Sequence, residues 1–178
     1  MSGHNKWSKI KHKKANEDAK KSKVFSMYVK AITIESKRAG GDVNDPGLKA
    51  VIDRAKAVNM PADNIKRAID KGTSGSDENL EEVTYEAYGP GGVAIIIEGI
   101  TDNKNRTTPE IKHLLSKLGV SLGAQNSALW AFIKKDEEFI PTTLIPLEDT
   151  DKEKVAEIID TLEEHEDVKN VFTNADFD

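Results

Sequence analysis

The fold is decided by a stretch near the middle of the chain, residues 85–100, which reads YEAYGPGGVAIIIEGI. Its first part alternates apolar and polar residues, as a half-buried strand does, and Val93–Ile97 is a continuous apolar run typical of a central strand. Between them, residues 89–92 (Gly-Pro-Gly-Gly) have the composition of a tight turn. The stretch therefore predicts a β-hairpin whose second strand lies inside a sheet.

The residues that follow the hairpin continue the pattern of an α+β domain. We expect a helix capped by Thr108-Pro109, and a later helix that starts with a capping box of Thr150 and Glu153. The expected strands cover residues 128–133, 140–147 and 168–173, the second of them at a sheet edge because of its prolines. From Val93 onward the order is β-α-β-β-α-β, a ferredoxin-like pattern with one extra hairpin strand before it.

The residues before the hairpin predict a small helical domain. An amphipathic helix over residues 16–38 ends at Gly40-Gly41, Asp45-Pro46 starts a second helix, and Pro61 starts a third. Residues 73–81 have the composition of a turn, which predicts a domain boundary there. The predicted fold class is α+β, with a basic tail and three-helix domain in residues 1–75 and the ferredoxin-like domain in residues 76–178.

Composition excludes several classes of protein. The 178 residues are 37% hydrophobic, too apolar for a chain that is disordered throughout, and contain no apolar run of the about 18 residues that span a membrane. Cysteine is absent, which excludes disulfides, thiolate nucleophiles and cysteine-ligated metal centres. The N-terminus has positive charge without an apolar stretch behind it, so we expect no secretory signal and a cytoplasmic protein.

Charge is divided unevenly along the chain. Residues 1–75 contain 17 Lys and Arg against 8 Asp and Glu, a net charge of +9, whereas residues 76–178 contain 9 against 23, a net charge of −14. The basic half predicts a polyanion partner, and the acidic half would repel one. We therefore expect the acidic domain either to contact a protein partner or to have a structural role.

The predicted nucleic-acid-binding residues concentrate in the first 23 positions, where eight lysines stand against Glu17 and Asp18. The lysines would bind phosphates, and the aromatic side chains would add contacts such as stacking on a base. For Trp7 a local hydrophobic anchor remains an alternative. The predicted residues are Lys6, Trp7, Lys9, Lys11, His12, Lys13, Lys14, Lys20, Lys21 and Lys23.

Lys104 and Arg106 form a predicted secondary anion site. They lie in a polar loop between a strand and a helix N-terminus, where exposed N–H groups favour anions. Ordinary turn and capping chemistry explains the same residues equally well.

The sequence offers no convincing catalytic or metal-binding pattern. The four histidines do not form an HExxH pair, no serine lies in a GxSxG context, and residues 89–92 lack the Lys-Ser/Thr that follows a phosphate loop. We therefore expect no enzyme, no cofactor, no metal and no small-molecule substrate. An enzyme built on Asp102, Lys104, Arg106 and His113 is the weakest hypothesis.

Several motifs together resemble the YebC/PmpR family. They are GHNKWSKIKHKK at 3–14, DAKKSKVF at 18–25, NMPADNIKRAIDKG at 59–72, YEAYGPGGVAIIIEGITDNKNRT at 85–107, the block ending SALWAF at 127–132, and EDVKNVFTNAD at 166–176. The resemblance implies a non-enzymatic cytoplasmic protein of the kind usually described as a DNA-binding transcriptional regulator. Relatives that act in translation imply the alternative, a factor associated with the ribosome and its RNA.

One departure from the family pattern is large. The resemblance implies a third domain inserted after the Trp-Ala-Phe strand, yet only residues 133–139 separate that strand from the next. Asn5 is a smaller departure, because the family usually has Ser there. We expect the inserted domain to be missing and the remaining segments to close one α+β unit.

Overall fold

The computed structural model describes residues 17–75 and 79–178 of the chain. The described residues form two compact units, a helical unit within residues 17–81 and 100–103 and a sheet unit formed by residues 82–99 and 104–178. The predicted domain boundary at residue 75 stays a prediction, because residues 76–78 lie outside the described part.

The helical unit contains three helices, and each obeys the local signals expected of it. They are α1 (Glu17–Ala39), α2 (Pro46–Ala57) and α3 (Ala62–Thr73). The Asp45 carboxylate accepts hydrogen bonds from the backbone N–H of Gly47 (2.9 Å) and Leu48 (3.1 Å), so the predicted cap of α2 is confirmed. Gly40 and Gly41 both have positive φ after α1, as a glycine helix end requires.

Helices α1 and α3 approach each other closely at a polar crossing. The Ser36 hydroxyl donates to the Ile69 carbonyl (2.7 Å), and the Thr33 hydroxyl lies 3.3 Å from the Ala68 carbonyl. Gly72 makes this approach possible, since a Cβ there would lie 2.6 Å from the Thr33 carbonyl oxygen and 2.7 Å from Ser36 Cβ. These neighbours are backbone and a short side chain, so they have little room to move.

Replacing Gly72 with alanine should lower the free energy of unfolding by about 2 kcal/mol, because the overlap outweighs the better helix propensity of alanine. Urea unfolding followed by circular dichroism measures the change. Gly47→Ala is the comparison variant on α2, where the nearest atoms to a Cβ belong to side-chain carboxylates, those of Glu35 (2.7 Å) and of the Asp45 cap (3.2 Å), and not to backbone. If the two variants unfold with the same free energy, the close approach of α1 and α3 at Gly72 is contradicted.

The sheet unit contains a three-stranded sheet in the order β1-β2-β6, with smaller pairings around it. Its strands are β1 (Glu81–Tyr88), β2 (Ala94–Thr101), β3 (Phe132–Lys135), β4 (Glu138–Pro141), β5 (Ile145–Pro146), β6 (Val168–Thr173) and β7 (Ala175–Asp176), and its helices are α4 (Lys104–Lys117) and α5 (Asp149–Glu163). Strands β2 and β6 are antiparallel, β3 pairs with β4, and β5 pairs in parallel with β7. The α+β class and the predicted hairpin are confirmed.

The central strand β2 is buried on both sides, as its continuous apolar run predicts. Ile95 and Ile97 join the core formed with α4 and α5, whereas Ala94 and Ile96 join a second core with Phe132. Successive side chains of a strand point to opposite faces, so the two cores lie on opposite sides of the sheet. We call these sides the helix side and the hairpin side.

The strands are distributed differently from a single ferredoxin-like sheet. The predicted strand over 128–133 is in part wrong, because a 3₁₀ turn occupies Leu129–Ala131 and strand pairing begins at Phe132. From there β3 turns back on β4 through Asp136 and Glu137, both of which have positive φ, as a two-residue hairpin turn demands. The strand predicted over 140–147 is split between β4 and β5.

Two predicted helix starts are also wrong. Helix α4 begins at Lys104 and contains Pro109, although the proline was expected to mark its first turn. Helix α5 has Glu148 as its N-cap residue without a side-chain hydrogen bond, so the capping box of Thr150 and Glu153 is not formed. In α4 the reason is tertiary, because Arg106 and Thr107 donate hydrogen bonds to the buried Asp167 carboxylate and so hold a helical turn before Pro109.

Candidate nucleic-acid interface

The structure describes only part of the predicted lysine-rich site. Three predicted residues, Lys20, Lys21 and Lys23, lie in the first turns of α1. The remaining predicted residues lie outside the described part of the chain and stay predictions; they are Lys6, Trp7, Lys9, Lys11, His12, Lys13 and Lys14.

The start of α1 presents positive charge at its surface. Lys20 and Lys21 are exposed, and Lys23 is half-buried. The Lys21 ammonium lies 5.6 Å from the centroid of the Phe25 ring, a cation–π contact that leaves the charge at the surface. An exposed pair of lysines on a helix can contact successive phosphates of a backbone.

The two residues of the predicted secondary anion site have different surroundings, because Lys104 is exposed and Arg106 is ion-paired. Lys104 is exposed at the first residue of α4. The Arg106 guanidinium instead lies 2.8 Å from the Asp167 carboxylate, and Glu110 and Glu166 each place an oxygen 3.9 Å from it. These carboxylates already balance Arg106, so anion binding at this loop stays a prediction that depends on Lys104.

Asp167 is a buried carboxylate that sequence reasoning missed. It is 1% exposed and accepts hydrogen bonds from Arg106 Nη2 (2.8 Å) and from the Thr107 hydroxyl (2.7 Å). Its own backbone N–H donates to His165 Nδ1 (3.1 Å), so Nε2 carries the proton that His165 donates to Glu110 (2.9 Å). The partners are about sixty residues apart in sequence, and no local pattern reveals such a contact.

The same cluster is the strongest candidate for a metal centre in the described part of the chain. Glu110, His165 and Asp167 each place a ligand atom within 4.8 Å of the others. The Arg106 guanidinium contacts Asp167, however, and both imidazole nitrogens of His165 already have hydrogen-bond partners. The donor set is therefore that of an ion-pair cluster that fixes α4 to β6, and it does not suit a cation.

A second feature that sequence reasoning missed is an aromatic pair on the hairpin side, which we call the aromatic platform: Tyr88 and Trp130. Trp130 is 71% exposed, yet its indole Nε1 donates to the Tyr88 hydroxyl (2.8 Å) and lies 3.0 Å from the Ser127 carbonyl. The Tyr88 hydroxyl in turn donates to the same carbonyl (2.5 Å). A large aromatic side chain is thus held in one orientation at the surface.

The loop below the platform is fixed by a buried carboxylate. Glu86 is 4% exposed and accepts backbone N–H groups from Asn126 (2.5 Å), Ala128 (2.6 Å) and Leu129 (3.0 Å). Because Glu86 and Tyr88 alternate with the apolar residues of β1, both face the hairpin side. The family motif SALWAF at 127–132 covers this loop and is the one sequence signal that points to it.

The fold defines a class of α+β proteins in which a three-helix unit accompanies a helix-covered sheet. Residues 5–75 match the family model described as the TACO1/YebC protein N-terminal domain, and residues 80–137 and 133–175 match the model of the TACO1/YebC second and third domain. The chain belongs to the TACO1/YebC family.

Individual relatives agree with this assignment. A probable transcriptional regulatory protein of Hahella chejuensis is 35% identical over 237 residues, covering 99% of this chain and 96% of its own. A protein of the same description from Desulfatibacillum aliphaticivorans is 55% identical over 137 residues, covering 76% of this chain and 56% of its own. The crystal structure of a conserved hypothetical protein from Aquifex aeolicus has a TM-score of 0.82 and 29% identity, covering 94% of this chain and 95% of that one.

The comparisons also locate the predicted missing segment. The Hahella alignment runs over 237 residues against 178 in this chain, so at least 59 positions face a gap here. The two matches to the second family model meet at residues 133–137, where β3 turns into β4. A two-residue turn at Asp136 and Glu137 thus stands where relatives carry the additional segment.

The relatives are described as regulatory proteins and not as enzymes. Within residues 17–75 and 79–178, no helix combines the length and the apolar character that crossing a membrane would need.

Proposed function

We propose that this protein is a non-enzymatic, cytoplasmic regulatory factor that binds nucleic acid through its basic N-terminal region. The observation that carries the proposal is the lysine density of residues 1–23, eight lysines against two acidic residues, which continues onto the exposed start of α1. Relatives described as probable transcriptional regulatory proteins support the regulatory role. Lysines bind the phosphate backbone by charge and so supply affinity without sequence readout.

The target that this arrangement favours is structured RNA over a specific DNA operator. Base edges are read mainly by Asn, Gln and Arg side chains that project into the major groove. Asn64 is the sole Asn or Gln in α1, α2 and α3, and each helix carries a single arginine, so no helix presents a row of base-reading side chains. Arg67 donates to Asn64, and Arg38 donates to Glu35 of its own helix. Recognition of structured RNA needs no such row of base-reading side chains. A DNA-binding transcriptional regulator remains the second candidate, supported by the descriptions of the relatives.

The salt dependence of binding tests the lysine region. If about six phosphates are neutralised, the affinity for duplex DNA should fall with salt at a log–log slope of about −5. Replacing Lys20, Lys21 and Lys23 with alanine should bring that slope to between about −2 and −3, because three phosphate contacts are lost. Fluorescence anisotropy of a labelled duplex over a salt series measures it.

A charge-matched control separates a local contact from a change in net charge. Lys112→Ala, Lys117→Ala and Lys154→Ala together remove the same three charges from exposed positions of α4 and α5. The control should keep the parent slope. A parent slope near zero, or an equal loss in both triple variants, would refute the N-terminal site.

Crosslinking in cells distinguishes the two candidate targets. Sequenced crosslinks concentrated on one ribosomal RNA locus, and lost when Lys9, Lys11, Lys13 and Lys14 become alanine, would establish the RNA target. Crosslinks concentrated on promoter DNA would instead establish the transcriptional regulator.

A further inference from the structure

The aromatic platform is built to expose the face of Trp130. The indole has a single hydrogen-bond donor, and that N–H is already committed to Tyr88 and Ser127. The Tyr88 hydroxyl is committed in the same way. The platform therefore offers a ligand its ring surface and no free hydrogen-bonding edge.

The fold itself does not need an exposed tryptophan there. The apolar core on the hairpin side is formed by Ile96, Phe132, Phe139, Phe172 and neighbouring alanines, and Trp130 is not one of its buried members. Three amide N–H groups on the buried Glu86 carboxylate nevertheless fix the loop that carries it. Such rigid support lowers the entropy that a ligand must remove when it binds.

The densest acidic segment of the sheet unit lies away from the platform. Helix α5 and the turn after it, residues 149–167, carry nine acidic residues against two lysines, and α5 packs on the helix side of the sheet. On the hairpin side, Lys134, Lys135 and Lys169 stand against Glu86, Glu98 and the acidic residues 136–138, a net charge of −2, compared with −7 for residues 149–167. A polyanion is therefore repelled much less at the platform than at α5.

We propose that the exposed face of Trp130, held by Tyr88, stacks on an unpaired base of a single-stranded nucleic acid. A ring face without free polar edges suits a base of any identity, because every base has a π-face. Paired bases in a duplex are not available for such stacking, so the target contains an unpaired segment. This inference rests on the proposed function and adds a second contact, on the sheet unit, to the lysine region.

Tryptophan fluorescence of the full chain tests the proposal directly. In a Trp7→Phe background Trp130 is the sole tryptophan, and its emission should be quenched when a twelve-residue oligouridine binds. Trp130→Ala should weaken that binding about tenfold, as loss of one stacked base does, whereas Trp130→Phe should retain most of the affinity. The salt slope should stay at the parent value, because no phosphate contact is removed.

Ile133→Ala is the matched control, because Ile133 is an exposed apolar residue three positions further on. It should bind as the parent does, and Trp130→Ala should bind a duplex DNA of equal length as the parent does. Unchanged oligouridine affinity in Trp130→Ala would overturn the proposal, as would binding to the Trp7→Phe variant without quenching of Trp130, or an equal loss of affinity for duplex and single strand.

The two proposals fail in different ways. If the platform is wrong and the lysine region is right, the lysine variants lose affinity and Trp130→Ala does not. If Trp130→Ala abolishes only self-association or binding to a protein, the platform is a protein contact and base stacking is refuted. Circular dichroism and urea unfolding of Trp130→Ala should match the parent, because the side chain is largely exposed.

Discussion

Asp167→Asn should lower the free energy of unfolding of the sheet unit by about 3 kcal/mol. The carboxylate is 1% exposed, and its Oδ2 accepts from both Arg106 and Thr107, so an asparagine can keep these two hydrogen bonds but loses the negative charge that balances Arg106. Breaking a buried ion pair by removing one charge costs about 3–5 kcal/mol, and the lower end applies because Arg106 is partly exposed. Urea unfolding of the Trp7→Phe variant, followed by Trp130 emission, reports on this unit.

Glu166→Gln provides the control for the Asp167 prediction. Its carboxylate is 78% exposed and lies 3.9 Å from the same guanidinium, so it removes an equal charge with little desolvation. We expect a change of less than about 0.5 kcal/mol, typical of a surface ion pair. Similar losses of stability in the two variants would show that any nearby negative charge stabilises the fold through Arg106, and that the buried hydrogen bond to Asp167 has no special part.

The elements that the sequence predicted correctly are those with a strong local signal. The Asp45-Pro46 start of α2, the Gly40-Gly41 end of α1 and the strand Val168–Thr173 each depend on residues close together in sequence. The apolar run of Val93–Ile97 also predicted a central strand correctly, because only a strand buried on both faces tolerates such a run.

The errors arose where distant residues overrule local preference. Pro109 normally favours a helix start, yet contacts of Arg106 and Thr107 with Asp167 keep a helical turn before it. Trp130 was predicted to lie in a strand. The Glu86 carboxylate, more than forty residues earlier in the chain, instead binds the amide groups of Ala128 and Leu129 and so imposes a 3₁₀ turn. Both buried carboxylates gave no local pattern, because a single acidic residue in a strand or turn is ordinarily exposed.

The short β3–β4 turn gives the absence of the additional segment a physical explanation. Phe132 and Phe139 pack with Phe172, and the paired strands Phe132–Lys135 and Glu138–Pro141 place these rings on one side. Closing the strands needs two residues with positive φ, a strain of about 1 kcal/mol or more at each non-glycine position. The aromatic core on the hairpin side can therefore form without the segment that relatives carry.

Glu86→Gln should lower the free energy of unfolding by about 2–3 kcal/mol and loosen the aromatic platform at the same time. One carboxylate oxygen accepts from Ala128 and Leu129, and the other accepts from Asn126, so the amide of glutamine must place its NH₂ against at least one backbone N–H. Hydrogen bonds to a charged acceptor contribute about 1.5–3 kcal/mol, and a buried N–H left without a partner adds to the loss. Polarisation of Trp130 emission should fall as the indole gains freedom.

Glu138→Gln is the control for that prediction, because it removes one carboxylate from an exposed position of β4. It should leave both stability and emission at the parent values. If the platform binds an unpaired base, Glu86→Gln should also weaken oligouridine binding under conditions where the variant is fully folded, since the loop no longer holds Trp130 in place. A variant that loses stability but keeps the full affinity would show that Glu86 serves the fold alone and that Trp130 needs no rigid support to bind.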